Sequence, residues 1–152
     1  MSQQIAYTSN RASEAQIVEH LSRCDSSFVP PLSMRVEIDS YARKIASAAV
    51  RFEAWDRTLV GLLAAYCNDR HSGVAYITSV SVLEEWRGRK IASRLLKNCI
   101  SHARAEGYRQ VALEVDGENT GALSLYAKEG FTVSAAKDGA VIMQLDIGGE
   151  KG

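Results

Sequence analysis

Between Ser79 and Leu96 the chain reads Ser79-Val80-Ser81-Val82-Leu83-Glu84-Glu85-Trp86-Arg87-Gly88-Arg89-Lys90-Ile91-Ala92-Ser93-Arg94-Leu95-Leu96: a strand-like run, a short basic loop and the opening of a helix. Such a junction aims unpaired backbone N–H groups and the positive end of the helix dipole at one spot, a site for phosphate or pyrophosphate. Arg87, Arg89 and Lys90 add cations to it. The competing reading is an ordinary solvated basic loop. Downstream, Glu114 stands in the strand-like run Val111 to Asp116 and Tyr126 in the helical run Asn119 to Lys128. A carboxylate and a phenol, both able to move protons, therefore follow the basic loop. Strand alternation puts Ala112, Glu114 and Asp116 on one face and Val111, Leu113 and Val115 on the other, so Glu114 is able to face a cleft while its neighbours fill a core. The structural alternatives are a surface carboxylate and a packed tyrosine whose hydroxyl is satisfied locally. His20, His71 and His102 lack a second ligand three or four residues along a shared helical face, so no metal site is expected and each histidine reads as solvated. Neither Ser124 nor Cys99 has a histidine at a recognisable spacing, which leaves covalent catalysis without support.

These groups need elements to position them. Ser13 is a plausible N-cap for a helix over Glu14 to Cys24, with Ile17, Val18, Leu21 and Cys24 on one stripe. Pro30 and Pro31 push the preceding backbone out of the helical region and make Ser26 to Ser33 a stiff loop. A second helix with Ile38, Tyr41, Ala42 and Ile45 on one face should end near Ala48. The period then changes to two: Ala49 to Trp55, a turn at Asp56-Arg57, and Thr58 to Cys67 read as a hairpin, and Val74 to Val82 adds a third antiparallel strand. A long helix runs from Ile91 through Leu95, Cys99 and Ala103 and closes at Gly107. The strand Val111 to Asp116, a helix capped by Asn119 and stopped by Gly130, and a hairpin of Phe131 to Val133 with Ala140 to Ile147 complete the order α-α-β-β-β-α-β-α-β-β. This is one α/β domain over residues 1–147, with a frayed tail expected over 148–152.

The 152 residues, 46% of them hydrophobic, suffice for one compact core, and 18 basic against 18 acidic side chains leave no net field to collect nucleic acid or a membrane surface. Any anion site must be local. Cys24, Cys67 and Cys99 are odd in number and far apart, which predicts a reducing, cytoplasmic setting without disulfides. No leader-like segment opens the chain and no run approaches the roughly 18 apolar residues of a membrane span. A homodimer is left open.

Two motifs together resemble the GCN5-related N-acetyltransferase family over residues 74 to 131. The family loop R/Q-x-x-G-x-G/A is matched at Arg87 and Ala92 in Arg87-Gly88-Arg89-Lys90-Ile91-Ala92, with Lys90 where the central glycine belongs. Glycine there allows close backbone approach to a pyrophosphate, so Lys90 either weakens the site or supplies charge in its place. The second motif, N-x-x-A-x-x-L-Y-x-x-x-G-F, is met at Asn119, Ala122, Leu125, Tyr126, Gly130 and Phe131. The resemblance is closest to the branch that acetylates protein N-termini, including ribosomal-protein acetyltransferases. It implies a mixed, mostly antiparallel sheet flanked by helices, and acetyl-CoA as donor. It places coenzyme A on Val80, Ser81 and Val82, on the loop of Arg87, Gly88, Arg89, Lys90, Ile91, Ala92 and Ser93, and on Asn119. Glu114 would be the base and Tyr126 the acid. The chemistry asks for both: a lysine-like amine of pKa about 10.4 is neutral only about once in a few thousand at pH 7, and a departing thiolate needs a proton. Direct transfer to a primary amine in a ternary complex is expected, the acceptor being a small molecule such as an amino sugar or else a protein or peptide amine. The family analogy makes the loop containing Phe28 one wall of the acceptor site, although a core plug is an equal reading for that side chain. A non-catalytic acyl-CoA-binding module on the same fold is the alternative.

Overall fold

The computed structural model describes residues 4–69 and 71–148. Its elements are β1 (Ala6–Ser9), α1 (Glu14–Cys24), α2 (Ile38–Ala48), β2 (Val50–Asp56), β3 (Thr58–Tyr66), β4 (Val74–Val82), α3 (Ile91–Ala105), β5 (Gln110–Asp116), α4 (Thr120–Lys128), β6 (Thr132–Lys137) and β7 (Ala140–Asp146). The seven strands form one sheet in the order β1-β2-β3-β4-β5-β7-β6. Every neighbouring pair is antiparallel except β4 and β5.

The expected helices form where their periodicity put them. Ser13 caps α1 in a reciprocal box: its hydroxyl accepts from the Gln16 amide at 3.1 Å, and the Gln16 side chain accepts from the Ser13 amide at 2.8 Å. Strand β3 is buried on both faces, which its run of Leu and Ala requires. Leu59, Leu62 and Ala64 pack with Ile17, Leu21, Ala42 and Ile45 of α1 and α2. On the other side Val60, Leu63 and Ala65 pack with Ile91, Leu95, Cys99 and Ala103 of α3. Gly61 lets α3 come this close, because a Cβ there would stand 2.8 Å from Ile91 Cγ2.

The strand missing from the expected order is β1. Its four residues carry no alternation, and what holds them is nonlocal. The wholly buried Glu53 carboxylate accepts from the Thr8 hydroxyl at 2.8 Å and from the Arg11 and Ala12 amides at 2.9 Å each, with Arg51 Nε at 3.4 Å. A buried carboxylate is tolerable when its lone pairs are taken up in this way. Of the expected tail, Gly148 donates its N–H to the Arg109 carbonyl at 3.1 Å, and residues 149–152 lie outside the described residues. Among the described residues no helix is long and apolar enough to cross a membrane.

Candidate active site

The parallel pair at the centre of the sheet is open at one end. Strands β4 and β5 pair only from Val74–Ile77 to Gln110–Leu113. At that point the register against β3 also slips, Ala65 facing Ile77 and Ala64 facing Ser79, which leaves Thr78 as an extra residue. A bulge bends its strand, so the C-terminal half of β4 turns away from β5. Leu83 donates to the Val60 carbonyl on the β3 side. By alternation the amides of Val80 and Val82 face away from β3, into the gap. Phe28, Ala122, Leu125 and Tyr126 close around the gap to leave a cavity of about 340 Å³, also lined by Ser81 and Asn119.

One end of this cavity continues, through the shared residues Val82, Arg87, Ala92 and Leu125, into a second of about 490 Å³ at the start of α3. The Lys90 carbonyl accepts the first helical bond from Arg94, and no side chain caps the helix. The N–H groups of Ile91, Ala92 and Ser93 are therefore the unpaired donors of the helix start. Lys90 has φ 63° and ψ 25°, and Gly88 has φ 81°. The position where the motif asks for glycine is thus left-handed, and Lys90 adopts that conformation at a cost of about 1 kcal/mol. Arg87 and Lys90 line this end, and neither has a hydrogen-bond or ion-pair partner among the described residues. The Ser93 hydroxyl is committed to Glu129 at 2.6 Å, and Lys97 pairs with Glu129 at 2.9 Å, so the carboxylate that lines this cavity is paired. Arg89 lines none of these cavities; its guanidinium lies over the Trp86 ring, 4.6 Å from the centroid.

At its other end the gap opens, through Phe28, Val80, Asn119, Ala122 and Tyr126, into a third cavity of about 120 Å³. Glu114 lines it, exposed on β5 while Leu113 and Val115 are buried, as alternation requires. Its carboxylate has no hydrogen-bond or ion-pair partner among the described residues. Tyr126 is held on α4, whose N-cap Asn119 accepts from the Ala122 amide at 3.2 Å. Its ring packs on Phe131 at 5.9 Å, and burial pushes the phenol up to about 12. The hydroxyl makes no hydrogen bond to another described residue. Phe28 is both things expected of it: it packs against the two cores and lines two of the cavities. A larger cavity of about 560 Å³, lined by Arg104, Arg109 and Asp146, lies at the opposite ends of β4 and β5 and contains none of the motif residues.

The Acetyltransferase (GNAT) family model matches residues 15–131. The chain belongs to this family. Among curated relatives, this GNAT chain is 37% identical over 71 residues to GCN5-related N-acetyltransferase 4, chloroplastic, and 37% identical over 73 residues to N-alpha-acetyltransferase MAK3, both from Arabidopsis thaliana. Each alignment covers 47% of this chain, but only 24% and 38% of those relatives, so the chain spans well under half their length. The fold is that of the ribosomal-protein-S18-alanine N-acetyltransferase from Escherichia coli, with TM-score 0.77 and 17% identity over 97% of both chains. It also matches the PaiA N-acetyltransferase from Thermoplasma acidophilum in complex with coenzyme A, with TM-score 0.75 and 18% identity over 94% of this chain and 99% of that one.

Three residues in or behind the walls of these cavities gave no functional expectation in the sequence. His20 is not solvated: it is 2% exposed, and desolvation lowers its pKa to about 4. Its Nδ1 lies 2.8 Å from the Leu59 carbonyl, which only accepts, so Nδ1 carries the proton and Nε2 accepts from the Ser81 hydroxyl at 2.9 Å. The signal was present, since residues 17, 20, 21 and 24 form one helical stripe and the histidine shares it. Ser79 lines the 120 Å³ cavity with its buried Oγ lacking a partner of hydrogen-bond geometry. Arg35, at the end of the short turn Leu32–Met34, lines the same cavity. Neither gave a sequence signal, because the bulge and the fold of the proline loop bring them there. Among the described residues there is no cluster of three metal-ligating side chains.

Proposed function

We propose that this GNAT domain transfers the acetyl group of acetyl-CoA directly to a primary amine in a ternary complex, in the cytoplasm, where Cys24, Cys67 and Cys99 stay free thiols. The observation that carries the reading is the continuity of the trough. It begins at an uncapped, cationic helix start, passes through a gap flanked by free strand amides, and ends at an unpartnered carboxylate and phenol. This suits an elongated donor with a pyrophosphate at one end and a thioester at the other. In the reading, Ile91, Ala92 and Ser93 amides with Arg87 and Lys90 hold the pyrophosphate. Val80 and Val82 amides, with Ser81 and Asn119, hold the arm. The bound donor supplies an acyl carbon activated by its thioester.

Glu114, directly or through a water, takes the proton that the amine nitrogen must lose to attack; the new C–N bond forms and the C–S bond breaks. Tyr126 faces the departing sulfur. Complete proton transfer from a phenol near 12 to a thiolate of pKa about 8.5 is uphill by roughly 5 kcal/mol, so Tyr126 stabilises the sulfur by a hydrogen bond as its charge grows, and solvent completes the protonation. The N-alpha-acetyltransferase names among the relatives support a protein or peptide amine as acceptor, and the size of the third cavity supports a small one such as an amino sugar. Calorimetric titration with coenzyme A, followed by thiol release from acetyl-CoA against a panel of amines, tests the proposal. Binding with amine-dependent thiol release is expected. Binding without release on any amine would leave a non-catalytic acyl-CoA module.

A further inference from the structure

The acceptor end of the trough contains more charge than proton abstraction needs. Arg35 lines the 120 Å³ cavity together with Glu114, and its guanidinium has no hydrogen-bond or ion-pair partner among the described residues. Several other arginines are taken up: Arg23 by Glu85, Arg43 by Glu14, Arg51 by Glu53, Arg94 by the Tyr7 ring, Arg104 by the Ile147 carbonyl. Along the trough, the arginines left without a partner are Arg87 at the donor end and Arg35 at the acceptor end. The fields of Arg35 and Glu114 both reach the Tyr76 hydroxyl, yet the two do not pair with each other. Asp116 lines the same cavity; it forms no ion pair with Arg35, and its Oδ1 accepts from the Glu118 amide at 2.8 Å.

A second group points the same way. The Ser79 Oγ is buried on the wall of this cavity; the Tyr41 hydroxyl beside it acts on it without good hydrogen-bond geometry and is already committed to the Thr78 carbonyl at 2.9 Å and the Thr78 hydroxyl at 2.8 Å. A buried hydroxyl without a partner costs free energy that a ligand's acceptor oxygen would recover.

On the reading of this site as an acetyl-acceptor pocket, we infer that the acceptor is a compact zwitterion: a primary amine facing Glu114 and, a few bonds away, a carboxylate held by Arg35 and the Ser79 hydroxyl. The small cavity favours two charges close together, and an amino sugar, though small enough, has no carboxylate to pair with Arg35. The same chemistry has two sources, a free amino acid and an acidic residue following the first residue of a peptide.

The test compares matched acceptors under saturating acetyl-CoA: β-alanine with propylamine, 4-aminobutyrate with butylamine, and the amidated dipeptides Ala-Glu with Ala-Gln, with glucosamine as reference. The carboxylate member of the free pairs, the peptide pair, or both should be preferred in kcat/KM by about tenfold or more, the usual scale of a charge-assisted bond. Arg35→Gln should abolish the preference, Arg35→Glu should invert it, and coenzyme A affinity should be unchanged in both, because Arg35 is exposed and remote from the donor end. Which pairs discriminate identifies the source. Equal rates within every pair, a preference that survives Arg35→Gln, or no turnover of any carboxylate-bearing amine while acetyl-CoA binds normally would overturn the inference and leave the acetyl-transfer reading standing. Failure of the wild type to bind acetyl-CoA would instead overturn that reading.

Discussion

Tyr126 and His20 are both buried and both shifted by desolvation, but with opposite consequences for what pH controls. With its phenol near 12, Tyr126 keeps its proton across the working range, so it sets the height of a pH–rate profile and not its shape. Tyr126→Phe should lower kcat by about tenfold to a hundredfold at every pH from about 6 to 9, with little change in acetyl-CoA affinity. Loss of a limb of the profile would mean that the tyrosine titrates in turnover. His20 is neutral when folded, with its pKa lowered from 6.5 to about 4, so below 6.5 the unfolded chain binds a proton that the folded chain refuses. Stability is thus present above 6.5 and is lost as pH falls towards 4, by about 3 kcal/mol in total. Denaturant titrations at pH 7, 6 and 5 should show this slope in the wild type and a shallower one in His20→Gln; equal slopes would contradict it. Glu114 was legible from alternation and Tyr126 from its motif. The partner of His20 was not, because Ser81 meets it across 61 residues of sequence.

Among the elements, α3 carries the most weight in the proposed reading, which makes its start, its approach to β3 over Gly61 and its basic loop the pyrophosphate site. Lys90 already has the left-handed backbone that a glycine would take, so its departure from the family motif does not block the loop geometry. Lys90→Gly should therefore raise thermal stability, by up to about 1 kcal/mol or 2–4 °C, yet weaken coenzyme A severalfold by removing an unpaired cation. Melting curves beside calorimetry check it, and tighter binding would show that the lysine obstructs. Within the same loop the expected contributions separate: Arg87→Ala should weaken coenzyme A about tenfold and flatten its salt dependence, whereas Arg89→Ala, which removes a side chain stacked on Trp86, should change affinity little. Equal losses would return Arg89 to the site. The helices and most strands were readable from period and caps, since those signals are local. The bulge at Thr78 and strand β1 were not; one is a relation between the registers of two strands, and the other depends on a carboxylate 45 residues away from Thr8.

For the whole molecule, zero net charge coexists with a cationic start of α3, and on the proposed reading the donor is attracted by local amides and a few unpaired side chains and not by a global field. The class of fold and the order of the motifs were legible in the sequence; the succession of three adjoining cavities from Lys90 to Glu114 was not, because it depends on the parting of β4 and β5 after Ile77. On the proposed reading this arrangement favours direct transfer: donor and acceptor would enter from opposite ends and meet at Tyr126, with no side chain needed to hold the acetyl group between them. The most direct measurement is a two-substrate initial-rate matrix, thiol release against acetyl-CoA at several fixed concentrations of an accepted amine. Direct transfer in a ternary complex predicts double-reciprocal lines that intersect. Parallel lines, or acetyl-enzyme accumulating when the amine is left out, would contradict it.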